Sequence, residues 1–313
     1  MLSYLLRRIL AAVPVMGAVA VMIFLLLRLT PGDPAAVIAG ENVRPEHLAM
    51  IREQLGLNQA IHIQFLSWIA RLLQGDFGVS IISGTPVLDM IASRIEPTLS
   101  IAITTMLLSV VIAVPLGVLA AAHHGTLIDR IVIAISVIGF SVPVFVIGYA
   151  LIQVFSVELK WLPVQGFRSI TEGIGPFAER IVLPTLTLTL LYIALITRIT
   201  RTSLLEVLGE DYVRTARAKG IGEVAVLLRH ALRNAAVPVI TVIGIGLALL
   251  ITGVVVTESV FNLPGVGRLT IDAVLARDYP VIQAITLLAS LLYVVANLLI
   301  DLSYVLLDPR IRY

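Results

Sequence analysis

Long apolar runs alternate with short polar stretches along this chain, and that alternation sets its elements. The first apolar run covers residues 9–27, directly after Arg7 and Arg8. Further runs cover 99–122, 131–155, 181–200, 239–256 and 281–307. As helices these runs match a hydrocarbon layer of ~30 Å. They predict an all-α polytopic membrane protein with six transmembrane helices. The first run is too long for a signal-peptide core, and the chain continues into Pro31-Gly32-Asp33-Pro34. An uncleaved first span with a cytoplasmic N-terminus is expected.

Residues 31–96 form the most polar part of the pattern. Within them, 45–55 and 61–73 carry apolar residues at helical spacing, through Leu48, Ile51 and Leu55, then Ile61, Phe65, Trp68, Ile69 and Leu72. These predict external amphipathic helices inserted after helix 1. The expected organisation is an N-terminal span (1–30), an external segment (31–96), a five-helix core (97–307) and a cytoplasmic tail (308–313).

Two spans carry breaks. Gly139, Ser141, Pro143 and Gly148 interrupt the third. Backbone freed by such a break needs cover from protein or a water-filled cavity. Gly139, Ser141 and Pro143 are therefore candidates to line a pathway, with a proline kink in a packed helix as the alternative. In the fifth span Gly244, Gly246 and Gly253 allow close helix approach. Gly246, Gly253 and Glu258 join the pathway candidates; for Glu258 a solvated interfacial carboxylate is the simpler expectation.

The longest polar interruption of the C-terminal half lies at 204–239, with its core at 204–235. Seven basic residues fall in or just before it: Arg198, Arg201, Arg214, Arg217, Lys219, Arg229 and Arg233. The pattern predicts two short helices broken at Gly220 and Gly222. Leu205, Leu208, Tyr212, Thr215 and Ala216 mark one face of the first; Val224, Leu227, Leu228 and Leu232 mark one face of the second. Gly220 is expected to need a conformation that side chains resist.

Composition sharpens this picture. The chain has 313 residues, 58% of them hydrophobic and 13% charged, with mean hydropathy +1.02. Soluble domains carry about a quarter charged residues. There is no cysteine, so disulfides and thiolate metal sites are excluded. Net charge is +2, which does not suggest nucleic acid. The lysines are Lys160 and Lys219, and neither follows a glycine, so this chain has no GxxxxGK[ST] phosphate loop. The adjacent His123 and His124 do not share a helix face, and no metal site is expected there. With six spans and both ends inside, the seven basic residues around 204–239 face the cytoplasm, against two in 259–280. Asn297 and Asp301 share a face of the sixth span, within reach of Arg198, Arg201 or a partner subunit.

Motifs for zinc proteases, serine hydrolases and membrane aspartyl proteases are missing, so the chain is not expected to be an enzyme. A secondary transporter would carry mid-span charges, whereas Arg28, Glu258 and Asp301 lie near span ends.

The polar stretch contains Arg214-Thr215-Ala216, then Gly220, then His230-Ala231-Leu232. This spacing resembles the EAA loop of ABC-importer permeases, with Arg214 where Glu is usual and Arg233 where Pro is usual. YVRTARAKG followed by LLRHALRNA is similar to the version in dipeptide, oligopeptide and nickel importers. Leu29 to Pro34, Gly75-Asp76-Phe77-Gly78 with Ser80, Glu258 to Leu269, and the DPRIRY tail resemble the same branch. The resemblance implies a type I ABC importer permease fold in a bacterial or archaeal inner membrane. It implies that 204–235 is a coupling loop seated on a separate ATPase, through Glu210, Asp211, Tyr212, Arg214, Thr215, Ala216, Arg217, Lys219, Gly220, Arg229 and His230, with Arg217 meeting an acidic or backbone partner there. It further implies a second permease, two ATP-binding subunits and an extracytoplasmic solute-binding protein. ATP and magnesium would sit on the partners, with no cofactor on this chain. The cargo would be a di- or oligopeptide; a nickel chelate or another small solute is the alternative.

Overall fold

A computed structural model of the chain describes residues 2–29, 44–54 and 57–307. Among these residues the regular structure is helical, apart from an isolated antiparallel bridge between Val79 and Pro86. Residues 30–34 and 308–313, with their motifs, lie outside the described residues.

The helices in chain order are α1 (Leu2–Leu29), α2 (Pro45–Gln54), α3 (Ile61–Leu73), α4 (Val87–Ala122), α5 (Leu127–Ser141), α6 (Val144–Leu151), α7 (Ile174–Leu208), α8 (Asp211–Ala218), α9 (Glu223–Ala225), α10 (Leu232–Gly253), α11 (Val255–Val260), α12 (Val266–Leu275) and α13 (Tyr279–Leu307). π-Helical stretches extend α6 (Ile152–Glu158) and join α9 to α10 (Val226–Ala231). Among the described residues, five helices are long and apolar enough to cross a membrane: α1, α4, α7, the run from α9 through α10, and α13. The pair α5–α6, counted as one broken span, makes six.

The expected third span is thus bent rather than merely kinked. The two helix axes meet at 96°. Val142 precedes Pro143, whose ring disfavours helical backbone at the residue before it, and Val142 is extended (φ −89°, ψ 127°). The fourth span runs 35 residues, well past both expected ends. The second helix of the 204–239 stretch is not separate but opens the fifth span. Helix α12 lies where a loop was expected; Gly267, Leu269 and Ala273 are its buried side.

The chain divides into two compact units, residues 1–96 with 265–292, and residues 97–264 with 293–313. In the first, Val87 and Ile91 of α4, Leu269 and Ala273 of α12, and Tyr279, Val281, Ile282 and Ile285 of α13 form a core. Asp278 is buried. It accepts hydrogen bonds from Ser80 Oγ and, at 3.2 Å, from Ile81 N. The Gly75–Ser80 motif is therefore a turn fastened by a distant carboxylate. Helix α3 lies against α1 as its period predicts. Phe24 packs edge-on to Phe65 at 5.2 Å and beside Trp68 at 5.6 Å, and the Arg28 guanidinium lies 4.5 Å from the Phe24 ring centre.

In the second unit the core gathers on α7, where 14 of 35 residues are buried. Tyr192 and Ile196 meet Ile101 and Met106 of α4 and Val239 and Leu250 of α10. Its threonines face inward: Thr185 bonds Thr104 at 2.9 Å, and Thr197 donates to Ala113 O at 3.3 Å. At the α4 crossing, a β-carbon on Gly117 would stand 2.6 Å from Thr200 Cβ and 2.9 Å from Thr197 O. The helices approach this closely only because position 117 has no side chain. Gly117→Ala is expected to destabilise the protein by about 1–3 kcal/mol through overpacking. Gly17→Ala, with nothing within 4 Å, is the control. Thermal unfolding in detergent should show a lower Tm for the first and an unchanged Tm for the second.

Candidate functional site

The basic stretch forms a hairpin. α7 stops at Leu208, Glu210 is extended (φ −71°, ψ 147°), and α8 begins with Asp211. α8 ends at Ala218, and Gly220 adopts φ +80°. Its N–H reaches Arg217 O at 2.9 Å, and Ile221 N reaches back to Ala216 O at 3.3 Å. These bonds satisfy carbonyls at the helix end, as C-terminal caps do. Gly222 has an ordinary extended backbone (φ −63°, ψ 147°) and opens α9.

The hairpin has two distinct sides. Val213, Ala216, Val226 and Ala231 are buried. Ala231 and Ala235 pack with Leu204 of α7 and Ala121 of α4, flanked by Val118, Leu208 and Leu227. Glu210, Asp211, Tyr212, Arg214, Thr215, Arg217, Lys219, Gly220 and Arg229 are exposed, and His230 is half-buried. Both expected faces are shifted. Tyr212 and Thr215 point outward because α8 restarts after the break at 209–210 and resets the helical phase. Val224 and Leu228 are exposed and Val226 is buried, because the π-helical stretch inserts a residue into the 3.6 period. Neither Val213 nor Val226 stood out without knowledge of where the helices restart.

Several polar groups close bonds inside the hairpin. Arg217 donates to Glu223 through Nε at 2.7 Å and Nη2 at 3.2 Å, bridging the glycine break. Asn234 Nδ2 donates to Tyr212 OH at 2.6 Å, and Arg214 pairs with Asp211 at 3.5 Å. Within the chain by itself, Arg217 thus pairs across the hairpin with Glu223.

The pathway candidates are dispersed. Gly139 lies against α7, where a β-carbon would stand 3.1 Å from Leu190 O. Ser141 and Pro143 are exposed at the bend, and Ser141 Oγ donates to Val137 O at 2.8 Å. Gly246 is buried under Tyr192, whose hydroxyl donates to Gly246 O at 3.2 Å. Gly253 closes α10; its surroundings lie outside the described residues. Glu258 is fully buried. It accepts from Thr98 Oγ1 at 2.5 Å. The solvated interfacial position expected for it is therefore corrected: the short helix α11 turns it into the packing against α4, and a hydrogen bond accompanies the buried carboxylate.

A second polar cluster was not anticipated. Asp129, in the first turn of α5, is 4% exposed. Arg201 of α7 reaches it through Nε at 2.5 Å and Nη2 at 2.8 Å. Gly125 N donates to the same carboxylate at 2.9 Å, and His124 Nδ1 lies 3.2 Å from Asp129 Oδ2 and 3.0 Å from Arg201 Nη2. Arg201 thus meets Asp129 rather than Asn297 or Asp301. Asn297 donates to Tyr293 O within its own helix. Asp301 lies buried in α13. The signal in the sequence was an arginine set among the buried threonines of α7, opposite a short loop ending in an acid.

Apolar spans tied at their ends to an exposed basic hairpin fit a membrane transport component. The chain belongs to the family of binding-protein-dependent transport system inner membrane components, whose model matches residues 113–313; the N-terminal model of the same transport systems matches residues 1–102. It is 55% identical over 310 residues to the probable peptide ABC transporter permease protein y4tP of Sinorhizobium fredii, covering 99% of both chains. It is 45% identical over 313 residues to the glutathione transport system permease protein GsiC of Salmonella typhi and of Escherichia coli K12, covering 100% of each. Among solved structures, an inward-facing form of the MetNI methionine ABC transporter matches with TM-score 0.57 at 19% identity, over 71% of this chain and 97% of that one. A second crystal form of that transporter gives 0.58 at 18%. The fold is that of the ABC importer permeases, and the chain is a membrane-embedded transport subunit.

The two glycines of the hairpin should separate on substitution. Gly220→Val places a β-branched residue at φ +80°, a left-handed backbone that costs roughly 1–2 kcal/mol, and should abolish transport with membrane insertion intact. Gly222→Ala meets no atom within 4 Å and no backbone strain, and should transport normally. Uptake and membrane abundance measured together check both.

Proposed function

We propose that this chain forms the translocation pathway of an ATP-driven importer of di- or oligopeptides, together with a second, distinct permease. Two ATP-binding subunits and an extracytoplasmic solute-binding protein complete the assembly, and both termini of this chain face the cytoplasm. The observation that carries the reading is the two-sided hairpin. Its apolar side is fastened to the ends of α4 and α7, while Glu210, Asp211, Arg214, Lys219 and Arg229 remain exposed on the other. That is what a docking element needs: a free polar edge on a support that cannot yield separately.

The peptide cargo rests on the relatives. One is described as a probable peptide permease and another as a glutathione permease, and glutathione is itself a tripeptide. ATP and magnesium belong on the partner subunits, since this chain carries no phosphate loop. Closure of an ATP-loaded dimer favours one arrangement of the hairpin through differential contacts, and the spans follow as rigid bodies. Selection of the particular peptide falls largely to the binding protein.

Purification from native membranes in mild detergent, with a tag on this subunit, tests the reading. A second permease and ATPase chains should co-purify in fixed ratio. A tagged chain that emerges alone and moves solute into liposomes without ATP would make it a secondary transporter. The hairpin adds a finer prediction. Arg217→Glu should weaken retention of the ATPase by opening the glycine break, and Arg217→Glu combined with Glu223→Arg should restore it. Failure of the swap to restore retention would place the partner of Arg217 on the ATPase instead.

A further inference from the structure

Building on the importer reading, we propose that Asp129 and Arg201 form the positioning joint that carries hairpin displacement into the broken span α5–α6. The cluster lies just before the hairpin and is not among the residues that pack at its base. Its geometry is that of an orienting contact. Two N–H···O bonds from one guanidinium to one carboxylate fix angle as well as distance. A buried ion pair contributes little net stability compared with an apolar pair of similar size, so stability alone does not account for it.

Its placement shows what it joins. Arg201 stands three residues before Leu204 on the same face of α7. Leu204 packs on Ala231 and Ala235 at the base of the hairpin. Asp129 stands in the first turn of α5. That helix leans on α7 again at Gly139 and ends at the 96° bend. Beyond the bend, Gly148 of α6 abuts Val260 and Phe261, so that a β-carbon there would stand 3.1 Å from Val260. A displacement entering at Leu204 therefore reaches α5 through the two-bond contact, without relying on the short loop 123–126. Gly125 N and His124 hold the carboxylate from the loop side. Asp129 and Arg201 are positioning residues, and no solute need touch them.

The test uses the assembled complex in liposomes, with its partner permease, ATPases, binding protein and peptide. Asp129→Asn keeps the shape of the side chain and removes its charge; Arg201→Lys keeps the charge and removes the two-bond fork. ATP hydrolysis and uptake are measured together. Spin labels are placed at Leu127→Cys and Val224→Cys, both exposed, in a chain with no native cysteine. Asp129→Asn is expected to assemble and hydrolyse ATP while uptake per ATP falls roughly five-fold or more, the lower end of ordinary coupling between sites. Arg201→Lys should fall in between. In the wild type the distance between the labels should stay narrow through the ATP cycle, and in Asp129→Asn it should broaden. Unchanged uptake per ATP with a narrow distance overturns the joint. So does a loss of uptake, hydrolysis and assembled complex in equal proportion in both variants, which would make the pair merely structural. If the wild-type complex itself shows no ATP-driven uptake, the importer reading fails first, and the joint with it.

Discussion

A backbone N–H or C=O left without a partner in hydrocarbon costs several kcal/mol, and this constraint decides where the chain is irregular. The apolar runs are helical nearly throughout, and proline is accommodated inside α1, α4, α7 and α10. Where the helix does stop, the freed groups are dealt with locally. After α8 the caps from Gly220 and Ile221 return to the last turn. At Val142 the extended backbone leads directly into Pro143, which has no N–H to satisfy. After α11, Phe261 and Leu263 return N–H groups to Thr257 and Glu258.

Much of this was legible beforehand. Apolar length gave the number of crossings, and helical period gave α3 its seat on α1. The two glycines marked the hairpin break. What could not be read was phase. Periodicity assigns faces correctly only while a helix continues, and here α8 restarts after Glu210 while a π stretch follows Ala225. The face drawn through Leu205, Leu208, Tyr212, Thr215 and Ala216 therefore does not stay on one side of the hairpin, nor does the face through Val224, Leu227, Leu228 and Leu232, and Val213 and Val226 were missed. Glu258 was misjudged for a different reason. Its position at a span end is a one-dimensional fact, while its burial depends on α11 turning toward α4. Asp129 and Arg201 are 72 residues apart, and local pattern does not report such pairings.

Helix α7 relates these features to one another. It carries the inward threonines and the crossing at Gly117. It receives α5 at Gly139, holds Arg201, and ends where the hairpin is anchored at Leu204. A span used on so many sides has little room to deform, since packed interiors transmit strain rather than absorb it. That rigidity is what the joint proposed at Arg201 requires.

The π-helical stretch Val226–Ala231 has a different kind of consequence. A helix adopts a π turn when one residue is added and the contacts on either side keep their places. Here both flanks are held, Val226 within the hairpin and Ala235 against α4 and α7. The surplus residue is stored between them. The hairpin and its span thus keep their separate aims although the helical period is broken between them, and the two need not share one helical phase.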